Sequence, residues 1–370
     1  MNPDDVKCNN VHLEKIFNKL LDVMRKQCPL FDKTFQKIEW AGSYYKGTRV
    51  GQPEEYDLNF VIDLPFKEKD LEFSTDRPGF TKIRVVRKDR LNMDPDSEAY
   101  KKLKSFIDEE SYLNQEEFRG WIEGIFSKVT RTTNGNNGIL IDGYSSAIKI
   151  HKSGPAFTLK FPLPEGRTIN IDIVPVLAFS VSTLPPKCSK YNVLQSAPYR
   201  HWSAVPKPLD NDKGDNLQYR YWRLCFYEFE KDMLISHDYG RMKPVIRQLK
   251  KLRDTQKWKS VASYYLETLC YHEKEMFMLR KLRDAFYNGK IEFYWDDDYN
   301  LLGKIKPMEM KNMENRLNNI LKHIKKKAIE KDRYAIATYV LNDHDLNTLK
   351  NSDSVSKPKP EPELENCKYY

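Results

Sequence analysis

Gly42-Ser43-Tyr44-Tyr45-Lys46-Gly47-Thr48-Arg49, followed by Glu55-Tyr56-Asp57, decides how this chain is read. Side chains alternate along a strand, so Glu55 and Asp57 share one face. Phe60 and Ile62 continue the strand pattern, which Pro65 ends after Leu64. Two acids side by side on an otherwise apolar strand repel each other and lose solvation, costs that a divalent cation relieves. A third acid, Asp172, sits between Ile171 and Ile173 in the strand pattern Thr168 to Phe179, TINIDIVPVLAF. Three carboxylates on neighbouring strands could hold two cations ~3.5–4 Å apart, one activating an attacking hydroxyl and the other stabilising a leaving pyrophosphate. Mg²⁺ or Mn²⁺ suits such oxygen donors. Gly42 and Ser43 add close backbone approach and a hydroxyl for phosphate oxygens.

Each piece alone has a bland reading. Gly-Ser is ordinarily a turn, Glu-x-Asp ordinarily a pair of surface acids, and a strand-borne Asp ordinarily a buried carboxylate paired with Arg or Lys. The ordered combination favours a phosphate-handling centre.

Working outward, residues 11–28 place Leu13, Ile16, Phe17, Leu20, Leu21 and Met24 at helical spacing, a long amphipathic helix. Short strand patterns lie around Ile38–Trp40, Thr81–Val86 and Ala156–Pro162. Helical patterns cover 98–110 and 111–130. Beyond Trp202 the texture changes to long helical patterns at 217–235, 241–254, 258–273, 274–287 and 308–326. The 370 residues exceed one ordinary domain. The expected fold is α+β: a mixed-sheet lobe with its spine helix over 1–200, an α-helical lobe over 201–350, and the active site in the cleft between them. Residues 351–370, rich in Pro and charge, read as a disordered tail.

Composition removes several classes. Apolar residues make up 40% and charged residues 31%, enough for a real core. No apolar run approaches the roughly 18–20 residues of a membrane helix. The acidic start, Met1 to Asp5, lacks signal-peptide order. The six cysteines contain no CxxC pair and the seven histidines no HExxH, so neither a disulfide framework nor a structural zinc is expected, and the setting is a reducing cytosol. Lys and Arg number 62 against 53 Asp and Glu, a formal +9 that suits a polyanionic partner.

The run GSYYKGTRVGQPEEYDLNFVIDLP resembles the active-site segment of the animal cyclic GMP-AMP synthases and their invertebrate relatives, the cyclic GMP-AMP synthase-like receptors. The similarity recurs in order. INIDIVPVLAF resembles that family's third-carboxylate strand, and SAVPKP with YWRLCFYEFEKDML its Val-Pro-Lys and Trp-Arg-Leu segments. GRMKPVIRQLKKLRD resembles its lysine-bearing helix, and VASYYLETLCYH its Ser-Tyr helix. The resemblance spans roughly residues 10–350 and implies a nucleotidyltransferase fold. It implies that Glu55, Asp57 and Asp172 are catalytic and hold the metals, and that Gly42 and Ser43 meet nucleotide phosphate. Arg223, Cys225, Tyr227 and Glu230 fall in the segment that contacts bases and riboses. Lys243 would pair with triphosphate charge, and Ser263 with Tyr264 would hold and stack a base.

The resemblance further implies a double-stranded-RNA-activated synthesis of a cyclic dinucleotide from ATP and GTP. It also implies innate immune sensing, a dimer or higher assembly on RNA, and a cyclic-dinucleotide receptor downstream. Vertebrate members carry a His-Cys-Cys-Cys zinc ribbon where this chain has only Ser236 to Gly240, without cysteine. Cys225 stands where they carry serine, which leaves the base choice open. Lys15, Lys19, Arg84, Arg87, Lys88, Lys101 and Lys102 are the expected RNA-contacting cations, since A-form RNA is read through phosphates and shape. Two rivals stay open: a nucleotidyltransferase making linear products, and an inert scaffold of the same fold.

Overall fold

The computed structural model describes residues 3–51, 54–87, 91, 93–131, 149–153, 156–163, 166–197, 199–207, 209, 216–236, 241–273 and 278–355. The chain opens with helices α1 (Pro3–Gln27) and α2 (Pro29–Thr34), strand β1 (Phe35–Ala41), helix α3 (Gly42–Lys46) and strand β2 (Glu55–Ile62). Then come β3 (Leu71–Ser74), β4 (Phe80–Val85), α4 (Glu98–Lys104), α5 (Gln115–Arg131), β5 (Lys149–Ser153), β6 (Ala156–Pro162) and β7 (Thr168–Ser180). Helix α6 (Tyr191–Gln195) leads to β8 (His201–Val205), β9 (Tyr221–Cys225), α7 (Tyr227–Ile235), α8 (Met242–Thr255), α9 (Ser263–His272) and α10 (Met278–Asn288). A small hairpin, β10 (Glu292–Phe293) and β11 (Asp296–Asn300), precedes α11 (Pro307–Ile329), α12 (Ala337–Val340) and α13 (Asp343–Val355). The α+β expectation holds.

Nine strands form one mixed sheet in the order β1-β2-β7-β8-β9-β4-β3, with β6 on the free side of β7 and β5 beyond it. The long β7 organises it. Its first half runs parallel to β2 and antiparallel to β6, and its end pairs antiparallel with β8. Burial alternates at the start of β2 and becomes continuous from Leu58 to Ile62. The strand therefore begins at the cleft with one face open and ends inside the core, covered on both faces. Helix α1 buries Leu13, Ile16, Phe17, Leu20 and Met24. Phe17 packs edge-on against Trp40 of β1 and Phe60 of β2. Helix α5 reaches the same layer through Phe126, which meets Phe60 and Phe157.

Three expectations need correction. The pattern at 217–235 is not one helix: Tyr221–Cys225 is strand β9, paired with β8 and β4, and helix begins only at Tyr227. An aromatic run such as YWRLCFYEF satisfies either period, and pairing decides between them. The sheet therefore extends past residue 200 to Cys225, and the helical part follows it. The helix expected over 98–110 stops at Lys104, because isolated bridges Arg84↔Tyr112 and Ile107↔Leu113 tie the following turn to β4 and to itself. Helix α13, opened by the Asn342 side chain, which accepts from the Asp345 N–H, continues to Val355, five residues into the expected tail. Residues 356–370 lie outside the described residues.

Among the described residues no helix is long and apolar enough to cross a membrane. Cys28, Cys188, Cys225 and Cys270 are free thiols.

Candidate active site

Strand pairing sets the centre of the site. Asp57 on β2 and Asp172 on β7 are register partners across the parallel pair, so their side chains leave the sheet at one level. The Thr158 hydroxyl, opposite Asp172 on β6, donates to Asp172 Oδ1 at 2.5 Å and orients it. Asp57 opens onto the cleft, yet protein crowds its carboxyl. Desolvation, then repulsion from Asp172 and Glu55, raises its pKa against the lowering influence of Arg49.

Glu55 lies two residues earlier on the same face but does not join the pair. Its side chain is 75% exposed and lies 3.9 Å from Arg49 Nη2, while Arg49 Nη1 donates to the Glu55 backbone carbonyl. Among the described residues no three acidic, histidine or cysteine side chains stand together as a metal cage. The expected trio is thus two carboxylates together and a third held aside by Arg49. Hard oxygen donors whose repulsion raises a carboxyl pKa fit a divalent cation, which would relieve that repulsion.

Gly42 makes this geometry possible. It opens α3 at φ +73°, and a Cβ there would fall within 2.5 Å of Asp57 Cγ. Both the backbone region and the space demand glycine. Helix α3 then ends on Gly47 at φ +70°, whose N–H returns to Ser43 and Tyr44 carbonyls. Gly42→Ala is expected to cut turnover by roughly 100-fold or more, because displacing a reacting group by about 1 Å costs that much. Gly51→Ala is the control in a steady-state assay. It shares positive φ but meets nothing within 4 Å, so it should cost stability and little activity.

A cleft of about 440 Å³ lies over these carboxylates, within the range of small-molecule sites. Gly42, Ser43 and Asp57 line it from the sheet side. Arg223, Cys225, Tyr227 and Glu230 line it from β9 and α7, and Ser263 and Tyr264 from α9. Asp172 adjoins it through its pairing with Asp57. Lys243, on α8, stands over the end of α3, with its Nζ 3.7 Å from where a Gly47 Cβ would lie. The Tyr227 hydroxyl is buried and has no hydrogen-bond partner among the described residues, the kind of orphan a ligand satisfies. Burial pushes the Cys225 thiol up to about 12, so it faces the cleft uncharged. Arg253 Nη1 donates to Ser263 Oγ at 2.7 Å and orients that hydroxyl.

Sequence reading missed what supports the cleft. Lys46, 5% exposed, bonds Glu230 at 2.6 Å, Glu267 at 3.2 Å and the Tyr271 hydroxyl at 3.3 Å. Lys250 bonds the other Glu267 oxygen at 2.5 Å, and Thr48 donates to it at 2.9 Å. Glu230, expected at a base or ribose, also accepts from Tyr264 Oη at 2.6 Å and Trp295 Nε1 at 3.0 Å. Its carboxylate is therefore committed to orienting Lys46 and Tyr264. Lys207, from the Val-Pro-Lys segment, also lines the cleft, and burial, then the charge of Arg223, lowers its pKa. Crowded cations of this kind suit an anionic occupant.

The expected RNA-facing cations sit on three elements. Lys15 and Lys19 project from α1, one turn apart, and Lys101 from α4, all exposed. Lys102 lies 4.0 Å from Glu117 and Arg84 3.5 Å from Glu72, and Arg87 is exposed. Lys88 lies outside the described residues.

A nucleotidyltransferase family, the Mab-21 protein nucleotidyltransferase domain, matches residues 44–236. Over 98% of its length the chain is 34% identical to a cyclic GMP-AMP synthase-like receptor of Microplitis demolitor, covering 69% of that protein. It is 32% identical to one of Trichogramma pretiosum, over 94% of the chain and 74% of the relative. With one of Aethina tumida it shares 30%, over 94% of the chain and 90% of the relative.

Proposed function

Because the chain belongs to the Mab-21 nucleotidyltransferase family, among the cyclic GMP-AMP synthase-like receptors, we propose that it is a cytosolic, double-stranded-RNA-activated synthase of a cyclic dinucleotide from ATP and GTP, acting in innate immune sensing. The observation that carries the enzymatic part is the register pairing of Asp57 with Asp172 at the edge of a nucleotide-sized cleft.

The reaction is two successive nucleotidyl transfers. A ribose hydroxyl oxygen bonds to an α-phosphorus as its proton passes to a carboxylate or water of the cleft, the bond from that phosphorus to the bridging oxygen breaks, and pyrophosphate leaves. Asp57 and Asp172, with Glu55, would hold Mg²⁺ or Mn²⁺, which would activate the hydroxyl and neutralise the leaving group. Ser43 and Lys243 hold the phosphates, Lys243 as a point charge. Tyr264, fixed by its bond to Glu230, offers a ring face for a purine, and Tyr227 a hydroxyl for a polar base edge. The protein's part is positioning and charge, which is where catalysis of phosphoryl and nucleotidyl transfer mainly resides.

The test is product analysis after incubation with ATP, GTP, Mg²⁺ or Mn²⁺ and duplex RNA, with single-stranded RNA and DNA in parallel. A cyclic, phosphatase-resistant product formed with duplex RNA is expected. Linear, phosphatase-sensitive products would overturn the cyclase reading, and no product with any nucleic acid would overturn the enzyme. Lys15→Glu with Lys19→Glu should lower RNA-stimulated turnover by roughly 10-fold or more and flatten its fall with rising salt, because each lost phosphate contact reduces the salt slope. Basal turnover should not change.

A further inference from the structure

Asn59, on the floor of the cleft, has no part in the roles above. It follows Asp57 by two residues on β2, so it stands on the same face, about 6.6 Å farther along the strand. It lines the cleft, yet it is only 8% exposed. Val174, its register partner on β7, and Val205, at the end of β8, line the cleft beside it. A buried amide among apolar neighbours is costly unless both of its ends are paired.

One end is paired. Asn59 Nδ2 donates to Glu39 Oε2 at 2.6 Å across the β1–β2 pair, where the two residues are register partners. Glu39 is in turn hydrogen-bonded to Glu228 of α7. Glu228 is held by Lys37 Nζ at 3.1 Å and by the His201 N–H at 3.1 Å. Burial first, then the Glu228 charge, outweigh Asn59 and Lys37 and raise the Glu39 pKa. A carboxyl placed between an anion and an amide serves both: its proton faces Glu228 and its bare oxygen faces the Asn59 amino group. An acceptor there selects the amino end of the amide. The carbonyl end, Oδ1, is thereby turned to the cleft, and it accepts no hydrogen bond from the described residues.

We propose that Asn59 is a specificity-determining residue whose Oδ1 accepts a hydrogen bond from a ribose hydroxyl of the nucleotide whose α-phosphate meets Asp57 and Asp172, and that Glu39 positions it for that task. The step from Asp57 to Asn59 matches the reach from an α-phosphate to its own ribose and falls short of the far edge of the base. An acceptor set in an apolar floor discriminates, because a site built to pair a hydroxyl is left unpaired by the analogue that lacks it. This role rests on nucleotide occupancy of the cleft, as proposed above.

The experiment is calorimetric titration of the full chain and Mg²⁺, with and without duplex RNA, by α,β-methylene ATP and GTP, which bind without reacting. Their 2′-deoxy and 3′-deoxy forms are titrated in parallel. In the wild type one deoxy form is expected to bind roughly 10-fold more weakly than its parent. Asn59→Leu, similar in size, should bind that pair alike, both at the level of the wild type's deoxy form. Glu39→Gln offers an oxygen to Asn59 and an N–H to Glu228, so it should keep the discrimination. Glu39→Leu lets the amide turn and should lose much of it. A merely structural role would lower all affinities together and leave the ratio in place. No discrimination in the wild type, or equal discrimination in the wild type and Asn59→Leu, would overturn the role of Asn59. A ratio that Asn59→Leu erases only between the guanosine analogue and its inosine form, which lacks the amino group, would overturn the sugar and give Asn59 to the base. A wild type that binds none of these nucleotides would overturn nucleotide occupancy of the cleft, and this role with it.

Discussion

Asp57→Asn is expected to abolish nucleotidyl transfer while leaving the protein at least as stable as the wild type at neutral pH. Activity should fall by roughly 10³-fold or more, a loss of about 4 kcal/mol of transition-state stabilisation. An amide keeps the shape of the carboxylate but neither its charge nor its affinity for a hard cation. Stability moves the other way because the native state holds this carboxyl above its ordinary pKa, through desolvation and the neighbouring Asp172 and Glu55. A raised acid binds its proton more tightly folded than unfolded. Folding is therefore disfavoured by its ionisation, and the penalty grows as pH rises from the ordinary Asp range through the folded pKa. Asn carries no such penalty. Thermal melts of the two proteins should coincide at low pH and separate as pH rises, with the variant the more stable. A variant that melts well below wild type at neutral pH would mean that Asp57 is a structural acid, and its inactivity would then say nothing about catalysis. Asp57→Asn with Asp172→Asn should be equally inactive and, if the proposed RNA activation holds, should bind duplex RNA as the wild type does.

The two strands that carry these acids were legible because a carboxylate on an apolar period-two pattern stands out: β2 and β7 fall where Tyr56–Leu64 and Thr168–Phe179 predicted them, within about two residues. Their register was not legible. The level match of Asp57 with Asp172 comes from long-range parallel pairing that local pattern does not encode. Gly42 reads as a turn glycine, and only the folded chain reveals that a Cβ would occupy the Asp57 carboxyl. β9 reads as helix because Trp222, Phe226 and Phe229 recur at helical spacing while Trp222, Leu224 and Phe226 recur at strand spacing, and pairing with β8 and β4 settles it. Lys46 was invisible for a related reason. In the run GSYYKG it looks like a solvated lysine, and its burial depends on α7 and α9 arriving from far along the sequence with Glu230 and Glu267.

That buried lysine carries the second large prediction. Lys46→Met should lower stability by about 3–5 kcal/mol, because removing one partner of a buried ionic cluster leaves uncompensated charge in the interior. Among the described residues Glu230 would keep its neutral donors, Tyr264 and Trp295, and Glu267 would keep Lys250, Thr48 and, at 3.5 Å, the Tyr271 hydroxyl. The cluster joins the sheet side of the cleft, through α3, to the helical side, through α7 and α9, so its loss should loosen both walls together. Three rings, those of Tyr227, Tyr264 and Tyr271, lie 5.4–5.8 Å from Lys46 Nζ and lose their cation as well. Lys46→Met combined with Glu230→Gln should recover a large part of the melting temperature, since it removes charge from both sides of the strongest pair. It should not recover activity, because Tyr264 would lose the anionic acceptor that fixes it. Acid should act on the same cluster. Burial pushes the Glu267 carboxyl up, but Lys46 and Lys250 outweigh burial and hold it at about 2. A depressed acid stabilises the fold above its unfolded pKa, near 4.5, and that contribution is lost as pH falls through about 2. In chemical denaturation between these limits the wild type should lose stability with falling pH more steeply than Glu267→Gln. Parallel slopes for the two proteins would mean that Glu267 does not supply the ionic anchor between α3, α8 and α9.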